Sequence, residues 1–205
     1  MTCRPICTKR IGVFGGAFDP PHVAHAAVAQ AAVSAFDLDE LHIVPTGQAW
    51  HKVRTLSAAV HRLAMCQLAF REMPKVIVDS REVARPGPSY TVDTLHELSH
   101  EFPDAELFLI MGGDQARALT SWRDWETILR LAIICVADRD AATRASPTFS
   151  APIGLESRFR QLHLPAMPVS ATDIRSRIAA QHSVATLVFE PVARYIDEHH
   201  LYQTI

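Results

Sequence analysis

The sequence predicts an α/β fold, and three observations carry that expectation. Short apolar runs near 11–14, 41–44, 76–78, 107–111 and 132–137 have strand length, and they alternate with helical patterns, clearest at 22–35, 56–72 and 91–100. Two glycines separate the first run from the first helical stretch. With 205 residues, 48% of them hydrophobic and 20% charged, the chain suits one globular domain with a sizeable core. The βαβ rhythm then implies a Rossmann-like, doubly wound, mainly parallel sheet with helices on both faces.

Residues 1–9 read as an irregular leader before a domain spanning 10–203. The leader carries charges and Cys3 and Cys7 but no apolar h-region, and no run approaches the roughly 20 apolar residues that span a bilayer, so a cytoplasmic protein is expected. Ile11 to Phe14 is apolar enough for a buried strand. Gly15 and Gly16 are expected to end it, permitting positive φ and a close backbone approach to a bulky anion such as a triphosphate. Pro20 and Pro21 pin the turn and suit a helix opening, which places His22 and His25 about one turn apart on a shared face. Free N–H groups and the helix dipole favour an anion there, and two imidazoles can donate to phosphoryl oxygens. Zinc ligation fits poorly, because the pair lacks His-Glu-x-x-His spacing and a nearby third ligand.

The strand expected at 41–44 leads into Pro45-Thr46-Gly47-Gln48-Ala49-Trp50-His51-Lys52, where Lys52 on spacing alone is a solvated surface residue. Cys66, in the next helical stretch, and Cys135, in the last strand candidate, read as small buried hydrophobes, since cytoplasmic disulfides are unusual. Pro88 to Leu95 is a loop entering an amphipathic helix whose apolar side holds Val92, Leu95 and Leu98. After the run 107–111 come Gly112-Gly113-Asp114, and Asp114, at a strand's carboxyl end, is placed for a ribose hydroxyl or for water around magnesium. Trp122 and Trp125 follow, with Trp125 expected in the core. Arg139 closes the last strand candidate within reach of a nucleotide, and the segment from Arg139 to Gly154 reads as a mobile surface loop. Val169 to Arg175 precedes a helical stretch, with Ser170 as N-cap, Asp173 three residues on, and Thr172 and Arg175 one turn apart. A closing helix is expected from Pro191 to Tyr202.

Gly15-Gly16-Ala17-Phe18-Asp19-Pro20-Pro21-His22-Val23-Ala24-His25 is similar to the signature Gly-Gly-x-Phe-Asp-Pro-x-His-x-Gly-His of the nucleotidyltransferase superfamily. Val169-Ser170-Ala171-Thr172-Asp173-Ile174-Arg175 resembles its second signature, Ile-Ser-x-Thr-x-Ile-Arg. Within the superfamily the chain resembles the bacterial nicotinate-nucleotide adenylyltransferase family, from about Arg10 to Tyr202. Ala24 stands where the signature has glycine, and Trp50 where the family has the proline of Pro-His-Lys. The resemblance implies AMP transfer from ATP to nicotinic acid mononucleotide, using magnesium and releasing pyrophosphate. It implies ATP contacts at Gly15, Gly16, Phe18, His22, His25, Gly112, Asp114, Arg139, Ser170, Thr172 and Arg175. Pyridine-nucleotide contacts fall at Gly16, Ala17, Phe18, Lys52, Tyr90, Thr91 and Trp122, with Trp122 stacking on the ring. The resemblance further implies His22 and His25 as catalytic hydrogen-bond donors and Lys52 and Arg175 as countercharges, with no all-protein metal site expected.

The formal net charge of −2 argues against a large nucleic-acid surface, so phosphate specificity must be local, and no membrane partner is expected. Neither a Gly-x-Gly-x-x-Gly fingerprint nor a Gly-Lys-Ser/Thr phosphate loop is present. Small-molecule substrates are the expected partners, and a homo-oligomer is compatible with the sequence. Nicotinamide mononucleotide or phosphopantetheine as acceptor, and a catalytically silent nucleotide-binding protein, are the alternatives.

Overall fold

The computed structural model describes residues 8–48, 56–139, 150–165 and 167–203. The apolar runs become β1 (Arg10–Gly16), β2 (Glu40–Pro45), β3 (Val76–Val78), β4 (Glu106–Gly112) and β5 (Ala132–Arg139), and a further strand, β6 (Phe159–Leu164), follows. The described strands form one sheet in the order β3-β2-β1-β4-β5-β6, and every pairing is parallel. β6 escaped the sequence reading because it is an edge strand paired only with β5, and Arg160, Gln161 and His163 break its apolar run. Its Leu162 and Leu164 are buried and alternate with exposed neighbours, which is the period of a half-buried strand.

The helices are α1 (Val23–Ala35), α2 (Ala59–Phe70), α3 (Arg81–Ala84), α4 (Thr91–Glu101), α5 (Gly113–Arg117), α6 (Trp125–Leu131), α7 (Ala171–Ala179) and α8 (Glu190–Glu198). The closing helix stops at Glu198, short of the expected 202, and His200 and Tyr202 beyond it take positive φ. α3 and α5 span only four and five residues, too short to leave a periodic signal.

Strand alternation divides the interior into two cores. Phe14, Leu41, Ile43, Phe108, Ile110, Ile133 and Cys135 face one side, where α1, α2, α7 and α8 pack. Ile11, Val13, Val44, Leu107, Leu109, Ile134 and Val136 face the other, against α4, α5 and α6. The sheet is therefore buried on both faces, as parallel strands require. Cys66 and Cys135 are buried free thiols, and burial pushes the Cys135 thiol up to about 12. Trp125 is half-buried against the second core. No helix among the described residues is long and apolar enough to cross a membrane.

This strand order places the chain reversal between β1 and β4. Connections leave that pair toward opposite faces, and a crevice opens outside the strands' carboxyl ends.

Candidate active site

A cleft of about 290 Å³ occupies that crevice, walled by Gly15 and Gly16 of β1, Thr46 after β2 and Gly112 of β4. Gly15 and Gly16 correct the sequence expectation. Both remain in β1, paired in register with Val44 and Pro45, and neither takes a positive φ. What Gly15 supplies is space, since a Cβ there would meet nothing within 4 Å. The left-handed residue is instead Phe18, at φ 46°. Its ring is buried edge-on to Phe14 and to His25, at 5.5 and 4.9 Å between centroids, so the Phe18 side chain belongs to the core. Any contact between Phe18 and a nucleotide falls to its backbone.

His22 is the N-cap of α1 and His25 its third helical residue. Their rings stack 3.7 Å apart, with His25 lining the cleft and His22 buried. The His22 N–H donates to His25 Nδ1 at 3.2 Å, which puts the proton of the neutral His25 ring on Nε2. A packed loop thus fixes the tautomer able to donate to a phosphoryl oxygen. Ala24 is buried and forms part of the cleft wall.

The second cluster meets the first through Asp19. Arg175 Nη1 donates to the Asp19 carbonyl at 2.7 Å and its Nη2 to Thr172 Oγ1 at 3.1 Å. Ser170 caps α7 as expected, its hydroxyl accepting from the Asp173 N–H at 3.1 Å. Asp19 itself is 2% exposed; one carboxylate oxygen accepts from the Tyr202 hydroxyl at 2.6 Å and the other from the Ser57 N–H at 3.3 Å. Burial and the adjacent Asp19 carboxylate push the Tyr202 phenol far above its usual range.

At the opposite end of the cleft, Tyr90 caps α4, Thr91 opens it, and both line the wall with the half-buried Trp122. Gly47 lets this end close up. A Cβ there would stand 2.0 Å from the Glu82 carbonyl oxygen, and the Gly47 N–H donates to Ser89 Oγ at 3.1 Å. Glu82 is buried beneath, accepting from Thr94 Oγ1 at 2.8 Å, and burial raises its carboxyl above the usual range.

The remaining expected residues are less central. Asp114, in α5, is exposed and ion-paired with Arg117, while Gln115 takes the place in the cleft wall. Arg139 ends β5. Lys52, Trp50, Cys3 and Cys7, and positions 140–149 of the expected surface loop, lie outside the described residues.

Residues 13–177 match the family model described as cytidylyltransferase-like. A protein of Albidiferax ferrireducens named probable nicotinate-nucleotide adenylyltransferase is 66% identical over 196 residues, covering 96% of this chain and 99% of its own. The chain belongs to the nicotinate-nucleotide adenylyltransferase family. A Methylibium petroleiphilum member of the same name is 41% identical over 95% of this chain and 92% of its own. The fold is that of the Plasmodium falciparum nicotinic acid mononucleotide adenylyltransferase solved in complex with NaAD, at TM-score 0.77 and 18% identity, covering 95% of this chain and 97% of that one.

Against this family background, the sequence reading missed Arg62. Arg62 is 1% exposed, and its guanidinium donates to the carbonyls of Ser57 and Ala17, both at 2.9 Å, and to those of Thr46 and Gly47. Burial lowers its pKa, while the charge of Asp19 opposes that shift. One side chain thereby joins the loop after β1 to the loop after β2. A signal existed in the sequence: Arg62 shares the buried stripe of α2 with Met65, Cys66 and Ala69, at helical spacing where a cation is costly unless fully bonded. Asp19 stood inside the quoted signature, and only the structure reveals its ties to Arg175, Tyr202 and Ser57.

Proposed function

We propose that the chain transfers AMP from ATP to nicotinic acid mononucleotide, forming deamido-NAD and pyrophosphate for NAD biosynthesis in the cytoplasm. One observation carries the reading. A single cleft runs from the glycine–histidine turn, where the second signature is tied in through Asp19, to the Tyr90, Thr91 and Trp122 end. The names of the near full-length relatives support the same acceptor.

The mononucleotide phosphate arrives ionised, so the reaction needs no general base. It attacks the α-phosphorus of ATP in line, the bond to the β,γ-pyrophosphate breaks, and no covalent enzyme intermediate forms. Catalysis is then positioning plus stabilisation of charge. His25 Nε2–H and the capped start of α1 face the α-phosphate, with His22 holding the His25 ring. Arg175, fixed by Asp19 and Thr172, presents a planar, permanently charged fork to the triphosphate together with Ser170. Lys52 serves as a second countercharge, Arg139 and Gly112 border the nucleotide, and Trp122 stacks on the pyridine while the N–H groups opening α4 meet its carboxylate.

Among the described residues no three His, Cys, Asp or Glu side chains cluster to hold an ion. The exposed Asp114 fits a contact through water with a magnesium ion carried by ATP oxygens, as that ion's strong hydration favours. When bound there, magnesium would supply charge neutralisation for the pyrophosphate leaving group.

Pyrophosphate release from ATP and magnesium, measured with nicotinic acid mononucleotide and separately with nicotinamide mononucleotide, tests the reading. The acid is expected to be strongly preferred, and His22→Ala and His25→Ala are expected to lose roughly a hundredfold in rate, the scale of losing an oxyanion donor. No release with either pyridine nucleotide sends the search to other phosphate acceptors.

A further inference from the structure

The reading above assigns the acceptor's carboxylate to backbone N–H groups, yet a charged side chain stands beside them. Arg123 follows Trp122 directly, lines the same cleft, and holds its guanidinium 4.6 Å from the centroid of the Tyr90 ring. Among the described residues lining the cleft it is the one lysine or arginine, and its partner is that aromatic face rather than a carboxylate. Stacking on a ring fixes the plane of a guanidinium while leaving its N–H edges able to bond an anion.

Among the described residues lining the cleft the one carboxylate, Glu82, lies buried beneath the α4 start and hydrogen-bonded to Thr94, with burial opposing its ionisation. The pyridine end therefore combines a helix start, an aromatic platform and one cation, with little negative charge to repel an acid.

We propose that Arg123 is a specificity-determining residue that favours an acidic over an amidated pyridine substituent, a proposal that rests on the adenylyl-transfer reading. Arg123 is exposed at the rim, so water and salt screen it and its share of the discrimination is modest, roughly fivefold. A rim charge acts on the binding of the acid and leaves the uncharged amide untouched.

The test is the ratio of kcat/KM for nicotinic acid mononucleotide to that for nicotinamide mononucleotide, in wild type, Arg123→Gln and Arg123→Lys. Arg123→Gln is expected to lower the ratio about fivefold through KM for the acid, with turnover of the amide unchanged, and Arg123→Lys to retain part of the preference. Raising salt from roughly 0.1 to 0.5 M is expected to narrow the wild-type ratio more than that of Arg123→Gln. An unchanged ratio in Arg123→Gln, with wild-type turnover of the acid intact, overturns the role of Arg123 alone. Absence of wild-type turnover with both nucleotides overturns the adenylyl-transfer reading and this inference with it.

Discussion

Buried charge at Arg62 and Asp19 shows what single residues do in this site. Neither is among the described residues lining the cleft; Arg62 holds the carbonyls of the wall residues Ala17 and Thr46, and Asp19 accepts from the Ser57 N–H. Arg62 bonds four carbonyls from three loop positions, so replacing its fork with a single ammonium strands several of them. Arg62→Lys is expected to lose roughly 2–3 kcal/mol, read from a urea midpoint, because each stranded buried acceptor costs about 1–3 kcal/mol. It should also lower kcat/KM for both substrates, since Ala17 and Thr46, whose carbonyls Arg62 holds, both line the cleft. His22, His25, Ser170 and Arg175 were singled out in the sequence by residue type and spacing, and the structure ties the two segments together through Asp19. Arg62 was not, because its role depends on which carbonyls the fold brings around it.

At the level of elements, β2, β3, α3 and α4 are stitched by one half-buried acid. Asp79, after β3, accepts from His42 Nδ1 at 3.0 Å and from Arg81 Nε at 2.8 Å, and Arg81 reaches on to Glu101 of α4 at 3.0 Å. Burial works against its charge, but the hydrogen bonds from His42 and Arg81 outweigh burial and hold the carboxyl well below the usual range. The ionised form is thus favoured in the fold relative to the unfolded chain, whose aspartate titrates near ~3.9. Its contribution is complete above that pH and disappears as pH falls toward the lower folded value. Thermal unfolding of Asp79→Asn should therefore fall below wild type at pH 7, and the gap should close as pH drops below roughly 4. Elements with unbroken apolar runs or long periodic faces were readable in advance. β6 and the short α3 and α5 were not, because an edge strand with Arg160 and His163, and helices of a single turn, acquire their form from neighbours.

The molecule as a whole is held by contacts that sequence patterns do not encode. The parallel pairing of the sheet followed from the alternation of elements. The tie between its ends did not: Tyr202, expected in a helix, lies past α8 with φ 65° and donates to Asp19 across 183 positions. Tyr202→Phe keeps the ring and removes the donor, so a stability loss of about 1.5–3 kcal/mol is expected, the range for a hydrogen bond to a charged group. The accompanying change should be a higher KM for ATP with the acceptor's KM little altered, because Asp19 also anchors Arg175, the residue proposed to meet the triphosphate. Equal effects on both substrates would make Tyr202 a general fastener only.

That tie also sets a schedule for the ribosome. At roughly 5–20 residues per second, Asp19 waits about 10–40 s after its own synthesis for Tyr202 to appear. A translation product cut short just before Tyr202 carries both sequence signatures and all six described strands, yet leaves a buried carboxylate lacking one of its donors. The final setting of the loop after β1 is thereby coupled to synthesis of the segment past α8, 183 positions downstream.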